Sequence, residues 1–258
     1  MRTLDRAHLR FLEVCESTNA EARAWAEAGA PDGATVVADT QTAGRGRLGR
    51  AWCSPAGVNL YLSQVARLPA AGLRLLPLAG GLAAWEAVHA GLPDGPLPAL
   101  KWPNDVRVGG LKLAGVLCEW VAGQPPAGVV GIGLNVNMQP WQFPAELRRP
   151  ATSLAMLRGA PLERAACLEH LLAALDDWRA RAGSAPAEVV AAFSARCETL
   201  GARVRVEPPG APPYLALARR IDADGVLVVE DQRGALLRVE AGEVDALPAA
   251  LSPERTAR

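Results

Sequence analysis

Between Gln41 and Trp52 the chain reads QTAGRGRLGRAW, with three glycines (Gly44, Gly46, Gly49) interleaved with three arginines (Arg45, Arg47, Arg50). Each arginine carries a permanent charge on a planar fork of donors. Glycine lets backbone N–H groups approach a ligand closely. From Thr40 to Trp85 there is no Asp or Glu, while Arg67 and Arg74 add positive charge. Arginines this close repel one another unless an anion joins them, so the stretch reads as a loop that wraps something anionic.

Two common nucleotide loops resemble this stretch, but neither survives a wider comparison. GRGRLG fits G-x-G-x-x-G, yet a dinucleotide fold needs a helix next and an acid about 20 positions on to hold a ribose. Here Cys53-Ser54-Pro55-Ala56-Gly57 and a strand come next, and no acid occurs before Glu86. Gly44 and Gly49 also have phosphate-loop spacing, but Arg50 and Ala51 stand where Lys and Ser or Thr belong. The magnesium-binding hydroxyl of that motif is therefore missing.

Other clusters are ambiguous when taken singly. Ser17-Thr18-Asn19 precedes Glu21, and Thr18 with Glu21 has capping-box spacing, so a helix cap explains the set. Lys101-Trp102-Pro103-Asn104-Asp105 reads as a strand end and a turn. Lys112 sits among apolar residues and either snorkels outward or is held for use. Asn135 and Asn137 read as turn formers at a strand end.

The elements that would position these residues can be read from periodicity and punctuation. A helix runs from the Ser17 region to Gly29, and a buried strand over 34–39 delivers the chain into the Arg/Gly loop. Strands occur at 58–64 and 98–102, with a long apolar helix over 73–90 between them. Gly109-Gly110 joins strands 106–108 and 111–121 in a hairpin. A glycine-rich strand over 129–137 precedes helices at 162–182 and 187–200. Mixed strands succeeded by helices make the fold class α+β. After Gly201, short strands with tight turns suggest a small β-barrel. The expected organisation is a catalytic domain over 1–199, the barrel over 200–248 and a disordered tail over 249–258.

Composition narrows the function. Net charge is zero and pI is near 6.8, which argues against a general nucleic-acid binder. The five cysteines (Cys15, Cys53, Cys118, Cys167, Cys197) have neither metal nor redox spacing and read as reduced thiols of a cytoplasmic protein. His8, His89 and His170 are far apart, and nothing suggests a zinc site. The N-terminus lacks a signal-peptide core, and the apolar run 75–85 is too short to span a bilayer.

Taken together and in order, ESTN, QTAGRGRLGRAW, KWPND, GLKLAGVLCE and GIGLNVN closely resemble the biotin protein ligases. The resemblance extends from about Glu16 to Val244, and the loop matches GRGRxGRxW at every defined position. It implies the biotin/lipoate ligase-like catalytic fold, a mixed sheet flanked by helices, with a small C-terminal β-barrel. It also implies two reaction steps. Biotin and ATP give biotinyl-AMP and pyrophosphate, and a lysine of a biotin carboxyl carrier protein, that of acetyl-CoA carboxylase, then displaces AMP. The loop physics agrees, since two anions must be brought together and the adenylate must be kept from water by something that closes.

The resemblance also distributes roles. Ser17, Thr18, Asn19 and Gln41 would hold the ureido ring of biotin. Gly44, Arg45, Gly46 and Arg47 would close over biotin and phosphate, with Arg50 and Trp52 on the ATP side. Lys101 and Asn104 would contact nucleotide phosphates, Asp105 would help hold magnesium, and Asn135 would face adenine. Lys112 would act on the biotin carboxylate and the α-phosphate, with Arg45 and Arg47 as further catalytic groups, and Gly115 would admit the ligand to the backbone. ATP, its Mg2+ and biotin would be the small molecules, with no protein-bound metal cluster. The few residues before ESTN leave no room for the DNA-binding domain of repressor-type members, so neither DNA nor membrane binding is expected. The C-terminal GEV resembles the family's ending, but no site residue is assigned there.

Two other readings remain at this point. A lipoate or octanoate ligase or transferase shares the architecture, and a transferase would use a cysteine acyl-enzyme, with Cys53 or Cys118 as candidates. A non-enzymatic sensor of biotin or nucleotide would bind without turnover.

Overall fold

The computed structural model describes residues 8–147 and 149–247. The expected tail over 249–258 lies outside the described residues. Seven strands form a mixed sheet: β1 (Leu9–Cys15), β2 (Thr35–Gln41), β3 (Leu60–Ala66), β4 (Ala99–Lys101), β5 (Asp105–Val108), β6 (Leu111–Val121) and β7 (Ala127–Leu134). Their order is β1-β2-β3-β7-β6-β5-β4. Helix α1 (Thr18–Glu27) connects β1 to β2, which run parallel, and the other neighbours are antiparallel.

The hairpin between β5 and β6 turns at Gly109 and Gly110, whose φ values of 56° and 82° lie where side-chain-bearing residues are strained. Several elements differ from the sequence reading: a helix at Leu154–Arg158 and a strand at Glu243–Ala246 are not expected, and the helix expected over 187–200 ends at Ser194. Strand β1 is not legible in the sequence, because its charged residues break the apolar pattern and most of its side chains are exposed or half-exposed at the sheet edge. The helix expected over 73–90 is two helices, α2 (Ala70–Arg74) and α3 (Leu76–Gly91), with Pro77 in the first turn of the second.

Helix α3 is apolar nearly all round because it is buried nearly all round. It lies between the sheet and helix α5 (Arg164–Ser184). A short helix α4 (Leu154–Arg158), capped by Ser153, and α6 (Pro186–Ser194) complete this part. The C-terminal strands β8 (Arg203–Glu207), β9 (Tyr214–Ile221), β10 (Leu227–Asp231), β11 (Leu236–Val239) and β12 (Glu243–Ala246) occupy the region expected as a small β-barrel. They form an antiparallel five-stranded sheet ordered β11-β10-β9-β8-β12. Its core residues Val204, Val206, Leu227, Val229 and Val244 belong to the same hydrophobic cluster as Leu82, Leu100 and Trp102. Trp102 Nε1 donates to the Gly225 carbonyl at 3.0 Å, which fixes the second sheet against the first. No helix among the described residues is long and apolar enough to cross a membrane.

Candidate active site

One cleft gathers residues that are scattered through the sequence. Ser17, Thr18, Asn19, Gln41, Arg45, Gly46, Arg47, Arg50, Trp52, Lys101, Asn104, Asp105, Lys112 and Gly115 all line it. They come from the start of α1, the end of β2, the Arg/Gly loop, the β4–β5 turn and β6.

The cleft is electrically graded. At one end the groups are neutral. Ser17, Thr18 and Asn19 are each 4% exposed. Gln41 Oε1 accepts from the Thr18 N–H at 2.9 Å and from Thr18 Oγ1 at 3.2 Å, and Gln41 Nε2 donates to Ser54 Oγ at 2.9 Å. The helix-cap reading of this motif therefore needs correction. Ser17 occupies the cap position without a side-chain cap bond, and Gln41, 23 residues beyond Thr18, takes the Thr18 N–H of the first turn instead. The Thr18 hydroxyl is turned into the cleft network. Ser63, buried on β3, lies 2.8 Å from Thr18 Oγ1 and 2.6 Å from Asn19 Oδ1. Asn19 Nδ2 donates to Glu119 Oε2 at 2.7 Å and to the Leu117 carbonyl at 3.2 Å.

At the other end the groups are cationic, and the chain supplies their counter-charges from a distance. Lys112 meets Asp105 at 2.6 Å, Lys101 meets Asp245 at 3.0 Å and Arg50 pairs with Glu243, while Arg45, bordering the neutral groups, meets at 3.2 Å the same Glu119 oxygen that accepts from Asn19. Arg45 and Arg50 of the acid-free loop are thus neutralised by carboxylates from β6 and β12, and the two lysines by carboxylates from β5 and β12. Arg47 differs, donating to neutral oxygens, Asn104 Oδ1 and the Gly242 carbonyl, each at 3.2 Å. Burial holds the Arg47 guanidinium below its ordinary range, against the opposing pull of Asp105. Burial also lowers Lys101, and the charge of Arg149 lowers it further against Asp245. Burial alone would raise the Asp245 carboxyl, but Lys101 and Arg149 hold it below the usual range.

Between the two ends lies Trp52. A Cβ at Gly133 would sit 2.4 Å from its Cε2, and one at Gly115 would sit 3.0 Å from its Cζ3. The indole therefore rests on two glycines of neighbouring strands. Its Nε1 is buried with no hydrogen-bond partner among the described residues, and Lys112 Nζ lies 5.3 Å from a ring centroid.

Some expectations change. Asn135, expected to face a base, does not line the cleft. Its Nδ2 donates to the Thr152 carbonyl at 3.0 Å, and its Oδ1 lies 3.5 Å from Asn59 Nδ2, one layer behind. Gly44 also stands back, where its carbonyl accepts from the Trp52 N–H at 2.8 Å and closes the base of the loop. Asp105, expected on magnesium, is the partner of Lys112. Among the described residues no three His, Cys, Asp or Glu side chains are grouped to hold a metal ion.

Sequence reasoning misses other lining residues, among them Gly131, Gly133, Arg149, Glu243 and Val244. The glycine-rich strand signals the first two. The motifs assign no site residue in the C-terminal region, and β12 brings Glu243 and Val244 to the cleft wall. Arg149 lies in an irregular segment with no motif to mark it.

A model of the biotin/lipoate A/B protein ligase family matches residues 11–137. The biotin–[acetyl-CoA-carboxylase] ligase of Mycobacterium tuberculosis is 40% identical over 237 residues, covering 88% of this chain and 85% of that protein. This chain belongs to the biotin/lipoate protein ligase family. Solved structures agree with the membership. The biotin protein ligase of Aquifex aeolicus in complex with biotin and ATP superposes with a TM-score of 0.77 at 29% identity, covering 92% of this chain and 97% of that one. The Leishmania major biotin protein ligase in complex with biotinyl-5-AMP superposes with a TM-score of 0.63 at 27% identity, covering 90% and 98%.

Within this family a cysteine acyl-enzyme would need a reactive thiolate in the cleft. Neither Cys53 nor Cys118 lines it. Burial raises both thiols above their ordinary range, and Cys118 lines an adjoining cavity that shares Arg47 and Asn104 with the cleft. The geometry disfavours the transferase reading.

Proposed function

We infer that this chain is an ATP-dependent biotin–protein ligase that activates biotin as biotinyl-AMP and passes it to a lysine of a carrier protein. The observation that carries the reading is the polarity of the cleft. Its neutral end offers donors and acceptors suited to an uncharged ring bearing N–H and C=O groups. Its cationic end suits a carboxylate and a polyphosphate. Biotin has this polarity, with a ureido ring at one end and a carboxylate at the other. The family membership and the relatives from Mycobacterium tuberculosis and Aquifex aeolicus point the same way.

In the first step a biotin carboxylate oxygen attacks the α-phosphorus of ATP, and pyrophosphate leaves. The two reactants are both anions, so their approach requires screening by fixed positive charge. On this reading Lys112, beside Asp105 and the Trp52 ring, stabilises charge that develops at the α-phosphate. Arg45, Gly46 and Arg47 close over the reacting groups, and Lys101, Asn104 and Arg50 hold the remaining phosphates. The Trp52 ring provides an apolar shelf beside them. Arg45, Arg50, Lys101 and Lys112 then each exchange an internal carboxylate for ligand, while Arg47 exchanges neutral oxygens. Magnesium would enter with the triphosphate as its counter-ion and screen its charge.

In the second step the lysine ε-amine of the carrier attacks the anhydride carbonyl. The C–N bond forms, the bond to the phosphate oxygen breaks, AMP departs and the amine loses a proton. The carrier proposed is the biotin carboxyl carrier protein of acetyl-CoA carboxylase, modified in the cytoplasm.

Biotin-dependent exchange of labelled pyrophosphate into ATP tests the reading. Exchange with biotin and not with lipoate is expected. Exchange with lipoate alone would replace this reading with the lipoate ligase, and ligand binding without any exchange would favour a sensor.

A further inference from the structure

We propose that Arg149 is a phosphate-binding residue of the nucleotide site, parked on Asp245 until a polyphosphate displaces that carboxylate. The proposal rests on the ligase reading, and it assigns a residue that none of the sequence motifs contains.

Arg149 lies between β7 and α4, and its side chain lines the cleft. Three carboxylates converge on it. Its Nη2 lies 2.5 Å and 2.6 Å from the two oxygens of Asp245 and 3.4 Å from Glu243, and its Nη1 lies 4.0 Å from Asp105. Asp245 is shared, since its Oδ1 also takes Lys101 Nζ at 3.0 Å. Asp105 is shared in the same way, holding Lys112 at 2.6 Å. Lys101, Lys112 and Arg149 therefore stand around one part of the cleft, linked through two carboxylates.

Bringing a second cation onto the partner of a buried lysine is costly. Lys101 is only 6% exposed, and the charge of Arg149 disfavours its ammonium form. An anchor for β12 would need one cation, not two. An acidic oxygen bridging an ammonium and a guanidinium is, by contrast, the way a phosphate oxygen is commonly held. Asp245 fills that position with a single negative charge. A triphosphate brings more charge and more acceptor oxygens to the same donors, so it can displace the carboxylate. The other edge of the guanidinium already faces Asp105, which places Arg149 beside the lysine argued to act at the α-phosphate.

The test uses the full-length chain, its Arg149→Gln and Asp245→Asn variants, and tripolyphosphate as the probe. Calorimetric titration in the presence of biotin reads polyphosphate binding directly. Arg149→Gln is expected to weaken it about tenfold, the effect of losing one charge-assisted contact. Asp245→Asn is expected to strengthen it, because the internal competitor is gone. In the exchange assay Arg149→Gln should raise the KM for ATP about tenfold and leave the KM for biotin within about twofold. Pyrophosphate inhibition should weaken in step, while AMP inhibition stays within about twofold.

Unchanged tripolyphosphate binding in Arg149→Gln would overturn the proposal. Equal weakening of pyrophosphate and AMP inhibition would also overturn it, since that pattern marks a clamp on β12 and not a phosphate contact. Weaker polyphosphate binding in Asp245→Asn would overturn the displacement. The titration reads Arg149 even where the wild-type chain fails biotin-dependent exchange, so failure of the ligase reading and failure of this proposal are separable.

Discussion

Gly131→Ala should disable biotin recognition while sparing the nucleotide side. A Cβ at residue 131 would lie 1.9 Å from Asn19 Oδ1, 2.9 Å from Asn19 Cγ and 3.1 Å from Ser63 Oγ. Atoms do not approach this closely, and Asn19 is buried, so its carboxamide must leave its present position. Moving it breaks the 2.7 Å bond to Glu119, the 3.2 Å bond to the Leu117 carbonyl and the 2.6 Å contact with Ser63. A hydrogen bond to a charged group contributes about 1.5–3 kcal/mol and a neutral one about 0.5–1.5 kcal/mol. Water and relaxation recover part of that sum, so a net destabilisation of about 2–3 kcal/mol is expected. At about 2–4 °C per kcal/mol for a chain of this size, the Tm should fall by about 4–12 °C. Losing Asn19 from the ring contacts should raise the KM for biotin about ten- to hundredfold. The KM for ATP should stay within about twofold, because Lys101, Arg50 and Arg149 keep their places. Pyrophosphate exchange with separate biotin and ATP titrations, run beside a thermal melt, measures all three quantities. A second variant combining Gly131→Ala with Asn19→Ala should recover part of the Tm and none of the biotin affinity. Wild-type biotin KM and Tm in Gly131→Ala would refute the reasoning, since the Asn19 carboxamide would then be neither confined nor needed.

The same geometry carries other expectations. Lys112→Ala removes a positive charge argued to strengthen its contact in the transition state, so single-turnover adenylation should slow about a hundredfold, or about 3 kcal/mol. An unchanged rate would take Lys112 out of the catalytic machinery. Replacing both Cys53 and Cys118 by Ser should leave carrier biotinylation intact, whereas loss of transfer with adenylation preserved would revive the acyl-enzyme route. Lys101 holds phosphate only when protonated, and burial together with Arg149 lowers its pKa. Its charge is therefore complete at lower pH and lost as pH rises through a value below the usual lysine range. The kcat/KM for ATP should fall on that alkaline limb, and Lys101→Arg, which stays charged, should remove the limb from the pH profile.

How much is legible in the sequence differs from residue to residue. Thr18 and Gln41 both stand out in it, but their bond to each other does not. Local rules pair Thr18 with Glu21 in a capping box, whereas the fold pairs it with Gln41 across 23 positions. A local propensity is a weak prior, and a site that must present a hydroxyl to ligand overrides it. Strand β1 escapes notice because an exposed edge strand carries little hydrophobic pattern. Asn135 reads as a cleft residue from its motif, yet its hydrogen bonds to Thr152 and Asn59 place it behind the wall. The glycines of β7 stand out as a composition, but their purpose requires knowing that Asn19 and Trp52 lie above them.

The sequence by itself determined the chemistry. Permanent charges and flexible glycines in one loop, with an ordered set of polar motifs around it, demanded an anionic ligand and identified the family. Those properties belong to residue types and their spacing along the chain, so no fold is needed to read them. Only the tertiary structure decided what balances the charge. No acid lies within the loop or after it until Glu86, and its counter-ions arrive on β6 and β12, as Glu119 and Glu243. Ion pairing acts over a few ångströms through space and ignores distance along the chain. The same reason explains why Arg149, Glu243 and Asp245 entered the site unannounced.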